Sequence, residues 1–335
     1  MIQLLRERLF TELRGQLGRT PDARKLGVLK TDWEIPGTVS LYVFEPRAAA
    51  PVFHVTIVRE RADNHLLEHE FATLQQVGQR VAGTALASGV PAPLALFDLN
   101  GTAALTTSAL RGKPMHDFVG EKLQVGDVAA ARQAVTAAVN WIVELQKTLP
   151  TGRVLLPALA PAQILHDAAT TLGNPEREWK DVERSFPPDL EEISITGVGS
   201  HGNFSLRNMV WDGRRVGVLG WLGFKATAPA LYDLFTLAGS VDECAGGVAP
   251  VREIVDRAFE DLCLQHKLER VQAWETLMAA ALQRLQEAAA TRNELAGRQM
   301  IRVLKALVAD SGSSAFPADA TKCTAILARS GQASS

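Results

Sequence analysis

The sequence predicts an α+β protein of two lobes: a small antiparallel β-sheet carrying one helix, then a larger, mainly helical part. Three observations predict it. Short runs rich in branched residues crowd the first hundred positions, one strongly periodic helix lies among them, and helical spacing dominates beyond residue 111. A chain of 335 residues can bury a core of that extent.

The amino-terminal segment, 1–24, opens with a helix. Leu4, Leu5, Leu9, Phe10, Leu13 and Leu17 recur at helical spacing with Arg and Glu between them, so one face must dock, and the protein's own lobe is the expected surface. The β-rich lobe, 25–110, follows. KLGVLKT, TVSLYVF and VFHVTIV read as three strands separated by turn signals at Pro36-Gly37 and in the loop EPRAAAP. From Asp63 to Val81, Leu66, Leu67, Glu70, Phe71, Leu74 and Val77 mark a helix. PLALFDL and TAALTTS then flank Asn100-Gly101, a strong hairpin signal. These pieces make a five-stranded antiparallel sheet with one helix. Gly112 and Pro114 in ALRGKPM end it and open the helical lobe, 111–310, which is interrupted only by a strand pair around Asp212-Gly213. The last segment, 311–335, is small, polar and almost aperiodic, and is expected to form a loose tail.

Charge and cysteine content exclude several classes. Formal charge is -2, from 35 basic and 37 acidic residues, so no global field favours nucleic acid. Cys244, Cys263 and Cys323 are an odd number without close pairing, which argues against a disulfide framework or a CxxC metal site and fits a reducing cytoplasm. MIQLLRERLF interrupts its apolar run with charges, and no apolar stretch of the roughly 18 residues needed to span a bilayer follows. Neither leader nor membrane association is expected. No feature of the sequence indicates an oligomeric state.

Residues 201–208, HGNFSLRN, precede the hairpin NMVWDGRRVGVLGW. With the order of lobes, this stretch resembles the aminoglycoside phosphotransferase and choline kinase branch of the protein-kinase-like fold. The likeness covers roughly residues 25–310, with its specific motifs in 200–233. His201, Gly202 and Asn208 match the family's His-Gly-Asp, four residues, Asn pattern, and Pro229 and Tyr232-Asp233-Leu234 match the later proline and aromatic-Asp-Leu. Two acids do not match. Asn203 stands at the catalytic Asp position, and Gly220, before Trp221, stands at the metal-binding Asp position. The resemblance implies a bilobal protein-kinase-like fold, ATP or GTP with magnesium as cofactor, and a small-molecule hydroxyl as phosphate acceptor.

Phosphoryl transfer relies on positioning and charge neutralisation, with one Asp on the acceptor hydroxyl and a second Asp with an Asn on magnesium. Asn203 can accept a hydrogen bond but cannot take a proton, and loss of a general base typically costs about 10²- to 10⁴-fold. Gly220 offers no ligand, which leaves Asn208 as the only protein ligand to a metal. A third departure lies in the first lobe. Glu70 matches the helix glutamate that normally pairs with a strand lysine, yet no lysine occurs from Arg47 to Gly112, so His54, Arg59 or Arg61 would have to substitute. Gly37 supplies the one glycine of the turn expected over the phosphates. His201 is expected to pack the loop and Asp233 to brace it by accepting loop N–H groups, while Arg207 and Lys225 are candidate charges beside the site.

Two further motifs point to other chemistry. HLLEH, residues 65–69, satisfies the HxxEH pattern of a zinc hydrolase, but Leu66, Leu67 and Phe71 form the core stripe and leave His65, Glu68 and His69 on a solvated face. Ser205 has only His201 nearby and no GxSxG elbow, so acyl transfer lacks support. The expectation is a catalytically impaired pseudokinase that acts by binding a small ligand or protein partner. Its rival is a divergent ATP- or GTP-dependent phosphotransferase drawing charge from Arg207 or Lys225, and the sequence leaves enzyme and non-enzyme both open.

Overall fold

The computed structural model describes residues 2–13, 23–30, 37–155, 161–172, 194–245, 248–290, 292, 297–298, 300–301, 303–305 and 307. Pro36, Leu17, Cys323 and the expected tail lie outside them. Two compact units emerge, Met1–Met115 with Asn208–Phe224, and His116–Arg207 with Lys225–Ser335. No helix among the described residues is long and apolar enough to cross a membrane.

In the first unit, five antiparallel strands run β1 (Gly27–Lys30), β2 (Thr38–Phe44), β3 (Phe53–Val58), β4 (Pro93–Leu99) and β5 (Thr102–Ser108), in spatial order β1-β2-β3-β5-β4. Alternation fixes the faces. Phe53, Val55 and Ile57 of β3 point into an apolar cluster with Val43, Phe97 and Ala104, while His54 and Thr56 take the other face. Helix α1 (Ile2–Glu12) covers the apolar face: Leu5, Leu9 and Leu13 enter that same cluster, each burial being worth about 1.5–3 kcal/mol. The expected brace therefore packs on its own sheet.

Helix α2 (Asn64–Val81) buries Leu67, Glu70, Thr73, Leu74, Val77 and Val81 along one stripe against β3, β4 and β5. The hairpin at Asn100-Gly101 has φ of 59° and 91°, the paired positive values of a type I′ turn. Its placement is tied to α2. The Gly101 carbonyl accepts from Arg61 Nε and Asn64 Nδ2, and Asn64 Oδ1 accepts from the Ala103 N–H at 2.7 Å.

The hairpin predicted around Asp212-Gly213 forms, as β9 (Met209–Trp211) and β10 (Val216–Val218), and belongs to this first unit. Its anchor is β6 (Lys113–Pro114), which pairs with β9. Gly112 permits that approach: with φ of 134°, a Cβ there would lie 2.6 Å from the Trp211 carbonyl carbon.

The second unit contains α3 (Met115–Gln124), α4 (Val128–Thr148), α5 (Pro161–Leu172), α6 (Tyr232–Ala245), α7 (Ala249–Gln265) and α8 (Arg270–Ala290). Asp127 Oδ1 caps α4 through the Ala130 N–H. α4 packs on α7 and α5 on α8, with α6 buried along most of its length. One expectation fails here. The helical part is interrupted not only by the predicted hairpin but also by β7 (Pro150–Leu155), β8 (Ser194–Ser200) and β11 (Lys225–Pro229), a three-stranded antiparallel sheet in the order β11-β8-β7. SITGVGS and PTGRVL conceal these strands because glycine and proline replace the branched alternation that marks a strand.

Candidate functional site

In the second unit, β8 delivers Ser200 into the HGNFSLRN loop. The Asp233 carboxylate at the start of α6 accepts from the backbone N–H of His201 at 2.7 Å and of Gly202 at 3.0 Å, one oxygen for each. Ser200 adds a side-chain hydrogen bond to the same carboxylate, and its Oγ also accepts from the Gly202 N–H. Complete enclosure pushes the Asp233 carboxyl up to about 6, against the lowering effect of these donors. His201 is fully buried, its ring edge against Phe204, and its Nδ1 accepts from the Asn203 N–H. Phe204 in turn stacks on Trp141, and the Leu206 N–H donates to Ser240 Oγ. Asn203 itself is exposed in this hydrogen-bonded loop.

The corner leading into α6 is pinned from below. Ala230 donates its N–H to the Thr196 carbonyl and accepts from Gln146 Nε2 at 2.6 Å, while Gln146 Oε1 meets His266 Nε2 at 2.7 Å. Sequence reading missed Ser200, Ser240 and Gln146. Gln146 left one signal, a polar residue inside the apolar stripe of α4, but nothing in the sequence named its partner.

The two candidate cations are both engaged. Arg207 Nη2 lies 2.5 Å from Glu243 Oε1 with both side chains more than half exposed, a pairing of small energetic worth. Lys225 Nζ lies 3.0 Å from Glu287 Oε1.

In the first unit, Asn208 and Gly220 are neighbours. The Leu219 N–H donates to the Asn208 carbonyl, and a Cβ built on Gly220 would stand 3.7 Å from Asn208 Oδ1. Gly220 is left-handed, φ 73° and ψ 60°, and starts the turn Trp221–Gly223. Magnesium selects oxygen ligands with carboxylates among them. This pair offers one amide oxygen and no carboxylate, so it does not fit the ion. Among the described residues, no group of three His, Cys, Asp or Glu side chains is placed to hold a metal. His65 of the HLLEH motif turns its Nδ1 to the Ala62 carbonyl on an exposed helix face, with Glu68 and His69 exposed beside it.

Glu70 is buried, and its Oε1 accepts from the Trp221 N–H at 3.0 Å. Burial raises its carboxyl to about 7, the Trp221 N–H pulling in the opposite direction. His54 sits opposite Tyr42 and Thr107 across β2 and β5, its ring 5.4 Å from that of Tyr42. Desolvation lowers it to about 4, so the ring is neutral near pH 7 and unsuited to clamp phosphate. Arg59 and Arg61 direct their Nε atoms to the Thr38 and Gly101 carbonyls. Gly37 adopts φ 80° and its carbonyl accepts from the Arg59 N–H.

No protein-family model matches the sequence, and no curated protein matches it. Solved structures do match in fold. Aminoglycoside phosphotransferase APH(4)-Ia is 12% identical over 94% of this chain and 100% of its own, with a TM-score of 0.56. APH(2")-IIa in its gentamicin complex gives 11% identity, 92% and 97% coverage and a TM-score of 0.52. APH(3'')-Id from Streptomyces rimosus gives 17% identity, 83% and 97% coverage and a TM-score of 0.50. The fold is therefore that of the aminoglycoside phosphotransferases, the α+β kinase-like architecture expected from the sequence.

Proposed function

We propose that this protein is a pseudokinase, a phosphotransferase-like scaffold that acts by binding a small ligand or a partner and has given up ordinary phosphotransfer. One observation carries the reading: the Asn208 amide faces Gly220, a position without a side chain where a metal-binding carboxylate would be required. Three further features support it. Asn203 cannot take a proton, His54 is neutral, and Glu70 is committed to a backbone N–H. Arg207, one of the charges a divergent enzyme would draw upon, is paired with Glu243. The loop around His201 keeps its hydrogen-bonded frame, which suits a site retained for its shape.

Thermal-shift titration with ATP and GTP, each with and without magnesium, tests the proposal, because a ligand bound only to the native state raises apparent stability. The expected result is no magnesium-dependent shift and no nucleotide turnover. A magnesium-dependent shift accompanied by turnover would overturn it in favour of a divergent ATP- or GTP-dependent phosphotransferase.

A further inference from the structure

Lys225 and three polar side chains that the phosphotransfer reading does not use converge in the second unit. Lys225 comes from β11, Tyr232 from the first turn of α6, and Arg284 and Glu287 from successive turns of α8. Lys225 Nζ contacts Glu287 Oε1 at 3.0 Å, while the Tyr232 hydroxyl donates to Glu287 Oε2 and Arg284 Nη1 lies 3.4 Å from both that oxygen and the hydroxyl. The guanidinium also lies over the Tyr232 ring, 5.7 Å from its centre, a cation–π contact.

The cluster has more donors than acceptors. Two cations and a phenol share one carboxylate. Asp233, the other acid within electrostatic reach of Arg284, is completely enclosed and spends its oxygens on Ser200, His201 and Gly202. A guanidinium carries five N–H donors in a rigid fork suited to oxyanions. Among the described residues, Arg284 uses only Nη1, and at long distance. The cluster is also partly exposed: side-chain exposure is 30% for Lys225, 26% for Arg284 and 31% for Glu287. A purely structural network would be expected to satisfy its donors or to leave its charges fully hydrated. Its location adds weight, for Lys225 pairs across the sheet with Ser200, immediately before His201.

We propose that Lys225 and Arg284 form an oxyanion site for the carboxylate or phosphate group of a small ligand, with Glu287 and the Tyr232 hydroxyl holding the two cations in position. The inference rests on the ligand-binding reading above and specifies its ligand as anionic.

Calorimetric titration of the full chain with inorganic phosphate and with succinate, at constant ionic strength and without nucleotide or magnesium, tests it independently of phosphotransfer competence. Saturable binding of at least one probe is expected, weakened about tenfold or more by Lys225→Gln and by Arg284→Gln. Arg284→Lys keeps the charge but loses the fork, and serves if Arg284→Gln fails to fold; it too should weaken binding. Preference for phosphate identifies a phosphate-bearing ligand and preference for succinate a carboxylate. The absence of saturable binding of either probe to the native chain, or undiminished binding by folded Lys225→Gln, overturns the site.

Discussion

Glu70 Oε1 and the backbone N–H of Trp221 form a 3.0 Å hydrogen bond across 151 positions of sequence. The resemblance seen in the sequence would make Glu70 a lysine-pairing glutamate, but no lysine occurs from Arg47 to Gly112, and its oxygen holds the turn that begins at Gly220. Such an acid has a structural task that survives without the lysine.

Removal of that acceptor should be costly. Glu70→Ala leaves the Trp221 N–H buried without its acceptor, and a loss of about 1–3 kcal/mol is expected in denaturant unfolding. Glu70→Gln keeps an oxygen and should cost less. The carboxyl is raised from 4.5 to about 7 in the folded state. Between those values the folded chain holds a proton that the unfolded chain releases, so the Glu70 contribution is full below pH 4.5 and is lost as pH rises through 7. The melting temperature of the parent minus that of Glu70→Gln should therefore fall across this window; a rise would contradict the assignment.

Asp233 holds the loop by accepting from two consecutive N–H groups. Asp233→Asn retains one oxygen and turns an NH₂ toward a donor, so a loss of about 1–3 kcal/mol is expected from one unmet buried group. Hydrogen exchange locates the effect: the His201 and Gly202 amides should lose protection first. Unchanged protection there, in a variant destabilised elsewhere, would show that the carboxylate does not brace the loop.

Legibility followed the range of the interaction. TVSLYVF announces β2 by its own alternation, and Asn100-Gly101 announces its hairpin by local backbone preference. His201, Asn208 and Asp233 were named through the resemblance of HGNFSLRN and Tyr232-Asp233-Leu234 to a family motif, which lies within one short stretch of chain. β8 escaped notice because Gly197 and Gly199 remove the side chains on which periodicity depends, yet Gly199 needs that smallness, as a Cβ there would lie 2.7 Å from Leu149 Cβ. Lys225 was visible as a charge, but not its pairing with Glu287, 62 positions away by residue number, because both lie on elements whose packing no local pattern specifies.

Gly112 tests the join between β6 and β9. A methyl group there meets the Trp211 carbonyl carbon at 2.6 Å and its oxygen at 2.7 Å, backbone atoms that cannot rotate away, and φ is 134°. Gly112→Ala should destabilise the chain by about 1–3 kcal/mol. Gly213→Ala, with φ 95° but no atom within 4 Å, provides the control for backbone strain alone. Equal losses in the two variants would mean that the close approach to Trp211 adds nothing.

On the proposed reading, Asn203 and Gly220 allow loss of the base to be separated from loss of the metal ligand. Asn203→Asp alone returns a proton acceptor to an exposed loop position but leaves Asn208 facing a glycine, so no gain in nucleotide turnover is expected. Gly220→Asp acts on the other half. The nearest atoms to a Cβ at that position belong to the Asn208 side chain at 3.7–4.0 Å, an ordinary contact, and Asp is among the residues that enter the left-handed region most readily. The variant should fold and should acquire a magnesium-dependent thermal shift with ATP or GTP, since a carboxylate then joins the Asn208 oxygen. Turnover should require both changes together. A large rise from Asn203→Asp by itself would mean that a metal site already exists without residue 220, and the pseudokinase reading would then fail at its central observation.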